Sequence, residues 1–346
     1  MSATRATITD VAARAGVSHQ TVSRVMNEHP NVARTTREKV LRVMRELDYQ
    51  PNRAARTLSS QRSATIGVVS FGLSFYGPAQ MLANVEQAAR ARGYSIAFAS
   101  APELNEREIE RAIEELRKHF VDGILLIVPM QGLDIDRVRE FCRGVPFALI
   151  DTPAVSAAPG ASIDQLEGGR LGADHLLTLG HQRVAWISGP RRWHDARLRV
   201  EGWQATLTEA DLTPVAAMEG DWTPASGFAL TQELLASRVS FTGLLVGNDQ
   251  MALGALWALH ERGISVPDQV SVVGFDDIPE SRFFHPPLTT VRQDFAALGV
   301  ESLTALLETI ETPGSDTRPP RVLKPQLIVR ASTAAPSSTD RRGRRS

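Results

Sequence analysis

His19, Gln20, Ser23, Arg24 and Asn27 fall on one face of a short helical stretch, and each carries a group suited to a base edge or a phosphate. Glutamine can pair bidentately with adenine and arginine with guanine in a major groove, so Gln20 and Arg24 are the expected sequence readers. Serine, threonine and asparagine more often hold phosphates. Taken alone such a face is ordinary solvated helix, and the elements around it decide the reading. Ala12 is small enough for a second helix to cross closely, Gly16 can take the left-handed conformation that ends a first helix, and Ser18 is placed to cap the second. Val22, Val25 and Met26 leave an apolar stripe behind the polar face. Two short helices joined at Gly16 make a helix-turn-helix. A third helix is expected from Thr35 to Leu47, with Val40, Val43 or Met44, and Leu47 turned inward. Pro51 breaks it, and a further short helix from a cap at Asn52 to Leu58 would be marginal alone.

A second chemistry is spread along the rest of the chain. Asp151, the pair Asn248 and Asp249, and the pair Asp276 and Asp277 each end an apolar run, while Phe71, Phe75, Trp222 and Phe295 lie in or beside expected loops. Carboxylates, amides and an arginine can chelate neighbouring hydroxyls, and an aromatic face can cover the apolar side of a sugar ring, so the set points to a polyol or saccharide. Any single acid after a strand is more often a helix cap or turn former. Seven β-branched or apolar runs, 66–70, 95–99, 123–128, 146–151, 184–188, 243–247 and 270–275, alternate with amphipathic helices, which predicts parallel sheets covered on both faces. Two such series suggest two doubly wound lobes with a ligand crevice between them at the carboxyl ends of the strands, although no sequence repeat relates the halves. Trp186 belongs to a core, whereas Trp193, Trp203 and Trp257 have no assigned place.

The net charge of −1 hides an uneven distribution: residues 1–62 hold 11 basic and 5 acidic residues, a net +6, leaving −7 on the remainder. A basic head seeks phosphate. The 346 residues, 42% hydrophobic, suffice for two to three ordinary cores. Neither a charged-then-apolar leader nor an apolar run near the ~18 residues of a bilayer span is present, which predicts a cytoplasmic protein that meets the chromosome and no membrane. A single cysteine, Cys142, rules out a disulfide framework or a cysteine-cluster zinc site and reads as core filler. Phosphate-loop, zinc-protease and nucleophile-elbow motifs are absent, and His175, His181 and His260 sit where capping or packing is the simpler role, so neither enzyme, metal nor cofactor is expected.

The quoted head, Pro51-Asn52-Arg53, His175 to His181, Gly220-Asp221-Trp222 followed by Ser226 to Phe228, Asn248 to Ala255, Ser271 to Asp277 and Pro286 to Phe295 together resemble the LacI/GalR family of regulators over roughly residues 5–332. The resemblance implies an all-α helix-turn-helix headpiece (1–50) and a hinge segment (51–63). It also implies a periplasmic-binding-protein-like α/β core (64–333), lobe 1 about 64–163 and 295–322 and lobe 2 about 164–292 and 323–333. Residues 334–346 are polar and basic, too short for leucine heptads, and expected to be a disordered tail, which leaves a homodimer on a pseudo-palindromic operator. The residues implied at DNA are Thr7, Ser18, His19, Gln20, Thr21, Ser23, Arg24, Asn27, Asn31, Asn52, Arg53, Ala55 and Leu58, the last as a minor-groove wedge. Those implied at a sugar effector are Asp151, Arg199, Asn248 and Asp276 on the hydroxyls, with Phe75, Pro78, Met81, Trp222, Gln293 and Phe295 around them. Phe71 and Asp195 stand where the family's galactoside pattern has serines, and Ile163 where it has an aromatic residue, so ring orientation or the sugar itself is expected to differ. The function implied is a sugar-operon repressor released by its inducer. Its alternatives are a corepressor-dependent regulator of the same build, a transport-type binding protein, which the head opposes, and an enzyme.

Overall fold

The computed structural model describes residues 6–26, 29–49, 62–130, 132–151, 158–312 and 319–337. The chain divides into two compact units, Met1–Ser63 and Ala64–Ser346.

In the first unit, α1 (Ile8–Ala15), α2 (His19–Met26) and α3 (Arg34–Glu46) enclose Val11, Ala12, Ala15, Val22, Val25, Val40 and Val43. A reciprocal capping box starts α1, with Thr7 accepting from the Asp10 backbone N–H and the Asp10 carboxylate accepting from the Thr7 backbone N–H. Gly16 closes that helix at φ 62°, where a side chain would be strained. The Ser18 hydroxyl accepts from the Thr21 N–H at 3.1 Å and opens α2.

The second unit runs β1 (Thr65–Ser70), α4 (Tyr76–Ala91), β2 (Ser95–Ser100), α5 (Glu106–Lys118), β3 (Gly123–Ile127), α6 (Ile135–Cys142), β4 (Phe147–Ile150), β5 (Gly160–Ile163) and α7 (Gln165–Thr178). It continues through β6 (Val184–Ser188), α8 (His194–Glu209), β7 (Ala216–Glu219), α9 (Pro224–Ala236), β8 (Gly243–Val246), α10 (Asp249–Glu261), β9 (Ser271–Asp276), β10 (Thr289–Arg292), α11 (Phe295–Glu311), β11 (Arg321–Leu323) and β12 (Gln326–Ile328). Two six-stranded sheets result, ordered β11-β5-β4-β3-β1-β2 and β12-β10-β9-β8-β6-β7. Each therefore reverses its order beside its first strand, the switch that opens a crevice at the strand ends. β3, β6, β8 and β9 are buried at every residue, as strands covered by helices on both faces must be.

Three short crossings join the lobes, after β5, after β10 and after β11. They explain one departure from the expected wholly parallel sheets: β12 pairs antiparallel with β10. β11 leaves its sheet at the crevice end, so the chain enters the second lobe from that end and runs against its strands. A second departure concerns the tail. Ala334, assigned to it from sequence, gives its N–H to Ser271 Oγ at 3.0 Å and lies 3.0 Å through its carbonyl from His181 Nε2. Cys142 is buried and its thiol is pushed up to about 12 by burial, in keeping with a packing role. Trp186 and Trp203 stack in the second lobe with ring centroids 5.8 Å apart, while Trp257 is exposed.

Candidate functional site

On the first unit, the second helix presents His19, Gln20 and Arg24 to solvent, with Ser23 and Thr21 half-buried and Ser18 exposed at its start. Thr21 Oγ1 is paired with Ser18 Oγ at 3.0 Å and Thr7 Oγ1 donates to Asp10 at 2.7 Å, so these two hydroxyls shape helix starts. Asn31 is exposed after α2. Asn27, Asn52, Arg53, Ala55 and Leu58 lie outside the described residues.

On the second unit, a cleft of about 360 Å³ opens between the lobes at the carboxyl ends of both sheets. Of the twelve residues expected at an effector, eleven line it: Phe75, Pro78, Met81, Asp151, Asp195, Arg199, Trp222, Asn248, Asp276, Gln293 and Phe295. Phe71 does not. Its ring is buried edge-on against Trp193 at 5.7 Å and belongs to the aromatic packing behind the wall. Ile163 likewise turns into the first lobe's core and reaches the cleft only through its backbone N–H, which Asp151 Oδ1 accepts at 2.9 Å. Asp249 and Asp277, at the strand ends, take the simpler structural role. Asp249 is buried against Thr290 Oγ1 at 2.5 Å and the Ile278 N–H at 2.9 Å, and Asp277 pairs with Arg292 and Arg330.

The polar lining is one connected network. Gln165 Nε2 donates to Asp151 Oδ2 at 3.1 Å and to Gln293 Oε1 at 2.8 Å, and Gln293 Nε2 donates to Asp276 Oδ1 at 2.6 Å. Arg199 Nε donates to Gln165 Oε1 at 2.9 Å and its Nη1 donates to the Gly247 carbonyl at 2.5 Å, 3.7 Å from Asp276 Oδ1. The guanidinium lies 3.7 Å over the Phe275 ring and 5.5 Å from that of Trp222, contacts that fix its plane. Asn248 caps α10 through Oδ1 and holds the Trp222 carbonyl through Nδ2 at 3.1 Å. Burial pushes the Asp151 and Asp276 carboxyls up to about 6; the Asp195 charge adds to the rise at Asp151, while Arg199 partly offsets it at Asp276. Burial followed by the Asp276 charge pushes the Tyr76 phenol up to about 12. Three wall residues have left-handed backbones, Asp151 at φ 54°, Trp222 at 76° and Asp276 at 113°. Such geometry is uncommon for a residue with a Cβ.

The sequence reading missed Tyr76, Gly77 and Trp193 in the wall and Gln165 behind it. Trp193 carried a usable signal, an aromatic in the loop after a strand and two residues before Asp195. Gln165 carried none, because an amide in a first helical turn is ordinarily solvated.

Side-chain chemistry and topology agree with what the chain resembles. A model for bacterial regulatory proteins of the lacI family matches residues 7–52, and one for the periplasmic binding protein-like domain matches residues 173–333. The chain is 38% identical to the lactose operon repressor of Escherichia coli strain K12 over 332 residues, 96% of this chain and 92% of that relative. It is 35% identical to the HTH-type transcriptional repressor PurR of Haemophilus influenzae over 337 residues, 94% of this chain and 98% of the relative. Its fold matches the crystal structure of the lac repressor dimer bound to operator and the anti-inducer ONPF with a TM-score of 0.90 at 38% identity, covering 96% of this chain and 100% of that one. A helix-turn-helix head ahead of a two-lobed α/β body, with relatives of this identity along almost its whole length, places the chain in the lacI family of bacterial regulatory proteins.

Proposed function

We propose that this chain represses transcription of a saccharide-utilisation operon by binding a pseudo-palindromic operator as a homodimer, and that a saccharide in the cleft releases it. The observation that carries the effector class is the convergence of Asp151, Arg199, Asn248 and Asp276 in one cleft, beside Trp222, Trp193 and Phe295. Two carboxylates, a guanidinium and an amide offer acceptors and donors for adjacent hydroxyls, and the aromatic rings offer apolar faces to the carbon skeleton of a ring. The exposed Gln20 and Arg24 support direct reading of a half-site, with Asn31 and the connecting residues Asn52, Arg53, Ala55 and Leu58 assigned to the remaining DNA contacts. Repression of this kind is work at the chromosome, in the cytoplasm; none of the helices in the described residues is long and apolar enough to cross a membrane.

The effector and the operator compete by linkage. If the saccharide prefers the arrangement of lobes that the operator-bound dimer disfavours, it must weaken DNA binding by the factor by which DNA weakens its own binding, commonly ~1 to 3 kcal/mol. The test recovers duplexes that the purified chain retains from its own chromosome at low salt, then titrates each complex with mono- and disaccharides. Release of DNA by one sugar class is the expected result. Retention of no duplex at all sinks the reading, and tighter retention in sugar reverses its sign to that of a corepressor.

A further inference from the structure

The cleft carries more negative charge than its own cation answers. Asp151, Asp195 and Asp276 line it with Arg199, and the guanidinium is already committed to Gln165, Gly247 and Asp276. Asp195 is 7% exposed, and its Oδ1 has no hydrogen-bond partner; His194 Nε2 lies 3.3 Å away without hydrogen-bond geometry. Opposite in chemistry and independent of the acids, the indole N–H of the buried Trp222 is also unpartnered in the wall. A buried carboxylate oxygen left without a donor is costly, so a site built this way is completed by what enters it.

We propose that the effector is a saccharide bearing a protonated amine, its ammonium received between Asp195 and Asp151 while Trp222 donates to a ring or hydroxyl oxygen. This deepens, and rests on, the reading of the cleft as a saccharide site. An ammonium brings three donors and a charge, answering the open Asp195 oxygen and the excess of carboxylates together; a hydroxyl answers only the first. Burial first and the Asp195 charge second raise the neighbouring Asp151 carboxyl, and His194 and Arg199 only partly offset them. A metal ion is the other source of positive charge, since Asp151, His194 and Asp195 bring ligand atoms within 4.8 Å of one another. The surroundings favour the amine. A metal-bound histidine ordinarily donates its second ring nitrogen to a partner, yet His194 Nδ1 has none.

The experiment measures binding to the full chain by calorimetry at about pH 7 in EDTA, where a sugar amine is still mostly protonated. Galactosamine, glucosamine and mannosamine are each compared with the neutral parent sugar and with the N-acetyl form. At least one amine is expected to bind roughly ten- to hundredfold tighter than both of its counterparts, and Asp195→Ser and Asp195→Asn are each expected to reduce that ratio to below about threefold. Neutral sugars binding as tightly as their amines overturns the proposal and leaves the saccharide reading standing. Failure of every sugar to bind, in protein whose head still retains DNA, overturns the saccharide reading and this proposal with it. ZnCl2 or MnCl2 alone raising the melting temperature in an Asp195-dependent way, with no preference for amines, assigns the locus to a metal and overturns the proposal.

Discussion

At Asp276 the demands of the site oppose those of folding. The carboxyl is buried, and the hydrogen bond from Gln293 and the charge of Arg199 only partly offset the loss of water, so it titrates near 6 instead of its ordinary 3.8. The folded chain keeps this proton at pH values where the unfolded chain has released it. Its contribution is therefore full below about pH 4 and is lost as pH rises through about 6, by an amount on the order of 3 kcal/mol. Asp276→Asn cannot ionise. Urea midpoints compared between pH 4 and 7 should show the native protein losing ground to this variant as pH rises, and a constant difference would show that the carboxyl is not desolvated as described. On the head, Gln20 and Arg24 are exposed and free of the capping that occupies Thr7 and Thr21. Gln20→Ala and Arg24→Ala should each cost ~1 to 3 kcal/mol at particular base pairs of an operator, whereas Arg53→Ala should weaken all sequences alike. Titration against single-base operator variants separates the two, and three equal, sequence-blind losses would contradict direct readout.

Between β6 and α8 the chain must pass beneath Trp222, and Gly189 is where it does so. A Cβ there would lie 2.1 Å from the Trp222 ring, and Trp222 itself already stands at φ 76° with its carbonyl held by Asn248. Gly189→Ala should therefore push the indole out of the wall and reduce saccharide-dependent thermal stabilisation at least tenfold in effective affinity, with DNA retention by the head unchanged. Undiminished stabilisation would mean that the wall does not depend on this ring. The same connection shows what a sequence can and cannot disclose. Six of the seven apolar runs were legible because parallel strands buried on both faces must be apolar throughout; the seventh, β2, lies at a sheet edge with Phe98 exposed and was legible only by its composition. β5, β7, β10, β11 and β12 were not, being three or four residues long and, in β7, β11 and β12, partly exposed at or near sheet edges, where no periodicity survives. Site residues followed the same division. Asp151, Asn248 and Asp276 end visible strands, but Tyr76 reaches the cleft, and Gln165 the bonds behind its wall, through packing of helices whose orientation no local pattern encodes.

In the body as a whole, a ligand can shift one lobe against the other only by changing the contacts that cross the cleft; besides the polar bonds of Gln165 to Asp151 and Gln293, the aromatic ones converge on one side chain. Trp193, on the second lobe, meets Phe71 and Phe75 of the first at 5.7 and 5.3 Å and Trp222 of its own lobe at 5.7 Å. Its backbone bridges Met130, and the next residue, His194, gives its N–H to the Pro129 carbonyl at 3.2 Å. A ring that touches the cleft wall and both lobes must repack when occupancy changes their arrangement, so it ties ligand binding to lobe position. Coupling of this kind is a free energy shared by two sites, and it can be lost while each site still binds. Trp193→Leu keeps an apolar filler but removes the aromatic edges on both sides. The operator affinity of this variant without sugar should stay within about threefold of the native value, and saturating sugar should now release DNA by less than about threefold. Anisotropy titrations of operator with and without the sugar give both numbers. Native-sized release from Trp193→Leu would place the transmission elsewhere, in the backbone crossings that follow β5, β10 and β11.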